Sequence, residues 1–251
     1  SSYFANNKWG DADSKSGKGS NLSATAELRP QLEALINELG ATSFLDVPCG
    51  DYFWMQHVDM AGVDYTGGDI VPEMIAQNQS NHGKDGVEFK VIDLIKGPVP
   101  AADIIFVRDC LVHLSNDHVA AAIANIRASG GKYLLTTVFV DVVENEDIST
   151  GQWRELDLRK APFNLPEPMR FIDEGAADMR GQQAGKMLGM EPTGIRINGR
   201  RSTPGRYFQV ANPGTGWGGT DIEDPLTILK PFNPKVAWSG LRLLMVSTTG
   251  E

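Results

Sequence analysis

The chain has 251 residues, a formal net charge of −9, 41% hydrophobic and 22% charged residues, the make-up of a globular protein built around one main core. No window approaches the roughly eighteen uninterrupted apolar residues of a membrane span, and no Lys/Arg run supplies the footprint that a phosphate backbone requires. Cys49 and Cys110 each sit inside an apolar run and read as reduced thiols, not a disulfide framework.

Neither a membrane nor nucleic acid is therefore expected as a partner, no metal is expected, and oligomeric state is left open. A cytoplasmic location is the default expectation, with room for an upstream segment because the sequence starts at Ser1. Asn21 and Asn78 fit the glycosylation pattern, which matters only in a secreted protein.

Residues 1–22 are polar and glycine-rich without a period and read as an arm. Leu32, Leu35, Ile36 and Leu39 then mark one helical face, with Gly40 where a C′ glycine belongs. The apolar run 43–47 breaks at Pro48-Cys49-Gly50-Asp51, as a buried strand entering a tight turn does. A second strand is expected over 63–70, followed by a helix that starts at Pro72 and runs through Gln79. Strands three and four fall at 87–94 and 104–107. Ser115 caps a further helix whose Val119, Ala122, Ile123 and Ile126 share a face, and strand five follows at 133–139. Alternating strands and helices at short intervals imply a mostly parallel α/β sheet. Residues 175–235 are rich in Gly, Pro, Arg and Thr, with 206–210 strand-like, and 241–246 looks like a closing strand. The expected organisation is an arm (1–22), a core (23–174) and a C-terminal extension (175–251).

In open parallel sheets ligands bind beyond the carboxyl ends of the strands. Asp46, Asp69, Asp93 and the pair Arg108-Asp109 all fall at such ends. Asp69 stands about 20 residues beyond the first turn, where a carboxylate grips both ribose hydroxyls of an adenosine ligand. The first turn carries one glycine, Gly50, rather than the G-x-G-x-x-G that accommodates a pyrophosphate. That argues against a nicotinamide-dependent oxidoreductase and suits an adenosine cofactor without phosphates.

The segments Phe44-Leu45-Asp46-Val47-Pro48-Cys49-Gly50-Asp51, Gly67-Gly68-Asp69-Ile70-Val71-Pro72 and Arg108-Asp109-Cys110-Leu111-Val112-His113-Leu114-Ser115 together resemble class I S-adenosylmethionine-dependent methyltransferases, most closely a microbial subgroup with proline in the first motif. The resemblance covers about residues 9–171. It implies a Rossmann-like sheet of seven strands with helices on both faces, and S-adenosylmethionine as cofactor. By the same resemblance, Asp46 and the turn Pro48, Cys49 and Gly50 line the methionyl end, Asp69 with Ile70 holds the ribose side, Asp93 with Leu94 meets the adenine, and Arg108 offers its backbone near the amino group. The arm, with Trp9 and the Ser16-Gly17-Lys18-Gly19-Ser20 run, is similar to an N-terminal lid; as plain sequence it equally reads as a tail.

The acceptor would lie over the loops after strands four and five. Trp153 and Phe163 are aromatic candidates for stacking, Arg154 for pairing with an anionic group, and Asn164 completes the set. Both aromatics equally suit pinning a long loop to the core. His113 is the candidate general base, with Asp109 fixing a loop N–H or orienting the imidazole. The expected activity is methyl transfer to a hydroxyl, carboxyl or amine of a small molecule or glycan precursor; the alternative is a methyltransferase-fold subunit that binds without turnover.

Overall fold

The computed structural model describes residues 14, 16–174, 186–192, 196–197 and 200–201. Seven strands form one sheet in the order β3-β2-β1-β4-β5-β7-β6. They are β1 (Ser43–Asp46), β2 (Asp64–Asp69), β3 (Val87–Val91), β4 (Ile104–Val107), β5 (Tyr133–Phe139), β6 (Arg170–Asp173) and β7 (Lys186–Pro192). The first five pair in parallel, whereas β7 runs antiparallel to both β5 and β6. This is the expected Rossmann-like sheet.

Three helices bracket it: α1 (Leu28–Leu39), α2 (Pro72–His82) and α3 (Asn116–Ser129). α1 ends where Gly40 enters the left-handed region at φ 57 and its N–H meets the Asn37 and Ile36 carbonyls. Pro72 opens α2, and the Ser115 hydroxyl caps α3 by accepting from His118 N–H at 3.4 Å.

The period-2 alternation of the central strands separates two cores. Phe44, Tyr65, Ile104, Phe106 and Leu135 pack with Leu28, Leu32 and Leu35 of α1 and Ile75 of α2 on one face. Leu45, Val47, Ile105, Val107 and Leu134 pack with Val119, Ala122, Ile123 and Ile126 of α3 on the other. Helices on both faces leave the carboxyl ends of β1, β2 and β4 as the open edge. No helix among the described residues is long and apolar enough to cross a membrane.

The outer strands differ from the sequence expectation. The sheet continues past residue 174, because the strand beside β5 is supplied by 186–192, inside the segment expected as an extension. The run expected to close the sheet, 241–246, lies outside the described residues, as does 206–210. Arg196–Ile197 and Arg200–Arg201 form a two-residue antiparallel pair.

Ile105 sits on β4 with no exposed surface. Ile105→Ala leaves a cavity between β4 and α3 and should cost about 3 kcal/mol of stability, measured from urea unfolding midpoints.

Candidate functional site

Beyond β1 the chain turns through Pro48 and Gly50, and neighbouring elements hold that turn by its backbone. Cys49 N–H donates to the Gly68 carbonyl at 2.7 Å, and Gly50 N–H donates to Asp69 Oδ2 at 3.3 Å. From α2, the Asn78 amide donates to the Gly50 carbonyl at 2.8 Å. Gly50 has φ 55, and a Cβ there would overlap Ser16 Oγ, so glycine is required twice over. Tyr52, bulky where a ligand turn favours small residues, points away: its ring lies 5.1 Å from both Tyr65 and Phe89 within the core.

Asn78 is a site residue that sequence reasoning missed; the only signal was an asparagine on the apolar face of α2. Its amide is 4% exposed and bonded to the turn, which excludes it as a glycosylation acceptor.

Asp69, the last residue of β2, is 5% exposed. Its Oδ1 accepts from Val71 N–H at 3.0 Å and its Oδ2 from Gly50 N–H. Burial raises its pKa while these N–H donors oppose the rise. A carboxylate offers about four acceptor positions, and the Gly50, Ile70 and Val71 N–H groups use part of that capacity, which leaves room for a ribose hydroxyl. Ile70 beside it is 59% exposed and presents an apolar surface at the same strand end.

Asp93 lies two residues beyond the end of β3. Its Oδ1 accepts from Ile95 and Lys96 N–H at 2.9 and 3.2 Å, so it closes a local turn. The Leu94 side chain is buried in the α3-side core and its carbonyl accepts from Asn125 at 2.9 Å. The expected adenine contact therefore cannot come from the Leu94 side chain.

The Arg108 side chain is buried. Its Nη2 meets Glu174 Oε2 at 2.6 Å and its Nε meets the same oxygen at 3.1 Å. Nη1 lies 3.4 Å from Asp109 Oδ2, and the guanidinium sits 5.6 Å over the Trp54 ring. Burial alone would lower its pKa, but Glu174 and Asp109 more than offset this, so the group stays charged. Asp46 is 3% exposed and accepts from Tyr65 Oη at 2.8 Å. Burial pushes its pKa up to about 7 against the Tyr65 bond and the Arg108 charge. Burial likewise raises the Cys49 thiol and lifts Cys110 to about 12, so both thiols are inert.

His113 ends the short 3-10 turn Leu111–His113. Its Nδ1 lies 2.8 Å from the Gln152 carbonyl, which can only accept. Nδ1 therefore carries the proton, leaving the Nε2 lone pair as the basic position of the neutral ring. Asp109 does not perform the orienting role: it has φ 51, its N–H donates to Thr137 Oγ1 at 2.9 Å, and Thr137 donates to its Oδ1 at 3.3 Å. Gln152 orients the imidazole instead.

Of the four acceptor-side candidates, Trp153 and Asn164 are exposed, Phe163 is half-buried and Arg154 is buried. Trp153 is 48% exposed and stands edge-on to Phe139 at 6.0 Å. Arg154 is reassigned. Its Nε donates to the Glu146 carbonyl at 2.7 Å, Nη1 to the Leu111 and Val112 carbonyls, and Nη2 to Asn116 Oδ1 at 2.9 Å. A buried guanidinium so occupied fastens the loop and cannot receive an anion. Phe163 packs against the α3-side core. Asn164, at φ 50, ends a local turn and donates to the Pro162 carbonyl at 3.3 Å. Trp9 lies outside the described residues.

Residues 44–129 match the family described as a methyltransferase domain. A curated relative, 6-hydroxynicotinate reductase of Eubacterium barkeri, is 40% identical over 68 residues, which are 27% of this chain and 13% of that protein. Similar solved structures include human N-acetylserotonin methyltransferase in complex with S-adenosylmethionine (13% identity, 65% of this chain and 50% of that one, TM-score 0.48). Another is 1,6-didemethyltoxoflavin-N1-methyltransferase of Burkholderia thailandensis with its acceptor and S-adenosylhomocysteine (19% identity, 66% and 77%, TM-score 0.48). The chain thus spans 13% of the curated relative and half of the human protein.

Because the Asp46 carboxyl is raised, the stability it confers is complete below about pH 4 and is lost as pH rises through about 7. Asp46→Asn keeps an acceptor for Tyr65 without the titration. Its stability relative to wild type should therefore rise by a few kcal/mol, on the order of the shift, between about pH 4 and 8 in urea unfolding.

Proposed function

We propose that this chain is an S-adenosylmethionine-dependent methyltransferase acting on a hydroxyl of a small molecule or glycan precursor. The carrying observation is that the residues matched by the methyltransferase family are those that build the crevice: the Gly50 turn, Asp69 and the loop after β4. Two features support the fit of the cofactor: Asp69 is a strand-end carboxylate with acceptor capacity beyond its backbone bonds, and Ile70 offers an apolar face beside it. The bound cofactor supplies an electrophilic methyl on sulfonium sulfur; the chain's own residues supply everything else.

Asp46 and the 48–50 turn flank the methionyl end, and a cationic ammonium there favours the ionised carboxylate that burial otherwise disfavours. On the acceptor side, Trp153 gives a half-exposed aromatic face to stack a ring or sugar. His113, with Nδ1 committed to Gln152, accepts the hydroxyl proton at Nε2 as the oxygen attacks. A hydroxyl is preferred over a carboxylate because only the hydroxyl needs that base. With Arg154 turned inward, the expected acceptor has no anionic group to be read by it. Catalysis otherwise comes from holding acceptor oxygen, methyl and sulfur in line.

Calorimetry with S-adenosylmethionine and S-adenosylhomocysteine tests the cofactor assignment. Both should bind, and Asp69→Ala should weaken each by about 2 kcal/mol through the lost charge-assisted bonds. Binding of NADH with no binding of either ligand would refute it. Consumption of S-adenosylmethionine with a panel of hydroxyl, carboxyl and amine acceptors separates an enzyme from a binding subunit.

His113→Ala should lower kcat about 10²-fold with cofactor affinity nearly intact. An alanine variant of near-normal kcat would remove His113 from the mechanism and point to an acceptor that is already nucleophilic.

A further inference from the structure

The buried residues of α2 are Met74, Ile75 and Asn78, so one of the three side chains that the helix turns inward is an amide. A buried amide is costly unless it is bonded. Asn78 Nδ2 stands 2.8 Å from the Gly50 carbonyl and 3.8 Å from Cys49 Sγ. A carbonyl can only accept, so the NH2 half of the amide faces the turn after β1.

That bond completes the fixing of a single peptide group. The carbonyl of the Gly50–Asp51 peptide is taken by Asn78, and its N–H is taken by Ser16 Oγ at 2.9 Å. Gly50 has φ 55 and no Cβ, so its own backbone resists rotation of that peptide very little. Rotation would exchange carbonyl and N–H and reverse the polarity that the turn presents to the crevice. The preceding peptide is held separately, by Gly50 N–H on Asp69 Oδ2 at 3.3 Å, while Asp69 Oδ1 accepts from Val71 N–H at the entry to α2. A closed circuit results: Gly50 to Asp69, Asp69 to the start of α2, and Asn78, about two turns along that helix, back to Gly50. Loss of the Asn78 amide opens the circuit at the Gly50 carbonyl and leaves both of these Asp69 bonds in place.

We propose, resting on the cofactor reading above, that Asn78 is a positioning residue: it sets the orientation of the Gly50–Asp51 peptide and through it the affinity for the amino-acid end of the cofactor, without acting on the ribose. Its mark is selectivity between ligands. A change that loosens the core weakens every adenosine ligand alike, whereas a change confined to this peptide weakens only a ligand that carries the amino-acid group.

Calorimetry on the full chain tests it, with S-adenosylhomocysteine and with 5′-methylthioadenosine, which shares the adenosine and thioether but lacks the amino-acid group. Asn78→Ala removes the amide while placing a strong helix former in α2. Asn78→Asp keeps the shape and puts an acceptor where the NH2 donated. Melting temperatures are recorded for both, and if one variant fails to fold the ligand pair is read on the other. Each variant should bind S-adenosylhomocysteine about tenfold more weakly or worse, while 5′-methylthioadenosine stays within about twofold of its wild-type affinity. Equal weakening of both ligands, or of neither, would overturn the positioning role and leave the cofactor reading standing. Failure of both variants to fold would overturn it as well, making Asn78 a requirement of the core. Wild type that holds only the complete ligand would also overturn it, since the two ends would then not be read separately. Binding of neither ligand by wild type would bring down the cofactor reading and the positioning role together.

Discussion

The buried charge of Arg108 is the constraint around which the open edge of the sheet is organised. Taking a guanidinium out of water costs several kcal/mol unless its donors are met. Here they are met by groups from far along the chain. Glu174, just past β6, takes two of its donors, Asp109 stands at the third, and Trp54 from the segment after β1 covers the planar face. Removing either partner of the Arg108–Glu174 pair would strand a charge, a loss of about 3–5 kcal/mol in comparable buried pairs. The ends of β1, β4 and β6 are therefore positioned together, and the loops that emerge from them inherit that geometry.

From this anchor the crevice is built mainly of backbone. Cys49, Gly50 and Asp51 send successive N–H groups to Gly68, Asp69 and Ser16, so one tight turn is joined to strand, acid and arm at once. Thr137 on β5 does the equivalent for the β4 loop, accepting from Asp109 N–H and holding that residue in the left-handed region, where aspartate is tolerated better than most residues. Strain of this sort is retained where the surroundings over-determine it. The result is a turn and a loop each held by its neighbours.

The loop after β5 is fixed by a different device. Arg154 draws residues 111–112, 116 and 146 together through its three nitrogens, and His113 exchanges bonds with the same loop, through Gln152 O and Gly151 N–H. The charge that sequence assigns to ligand recognition is thus spent on loop architecture. Trp153 of that loop is exposed, and the His113 ring has its Nδ1 committed to the Gln152 carbonyl.

The amino-acid sequence by itself determined what local signals encode. Helical periodicity with Gly40, Pro72 and Ser115 at the helix ends, apolar strands broken by turn residues, and carboxylates at strand ends located α1 to α3, β1 to β5, the Gly50 turn and Asp69. Each of those depends on contacts within a turn or two of chain, or on burial alternating with period two. Only the tertiary structure decided which polar partners meet. Arg108 finds Glu174 across 66 residues, Ser14 finds Asp51 across 37, and Asn145 finds Asp157 across 12. No periodicity records such pairings, so the inward turn of Arg154, the pairing of His113 with Gln152 rather than Asp109, the role of Asn78 and the docking of the arm all stayed hidden. The same holds for β7. A strand whose partners β5 and β6 both run antiparallel to it is defined by where the sheet has an edge to receive it, and that edge exists only once the core has folded.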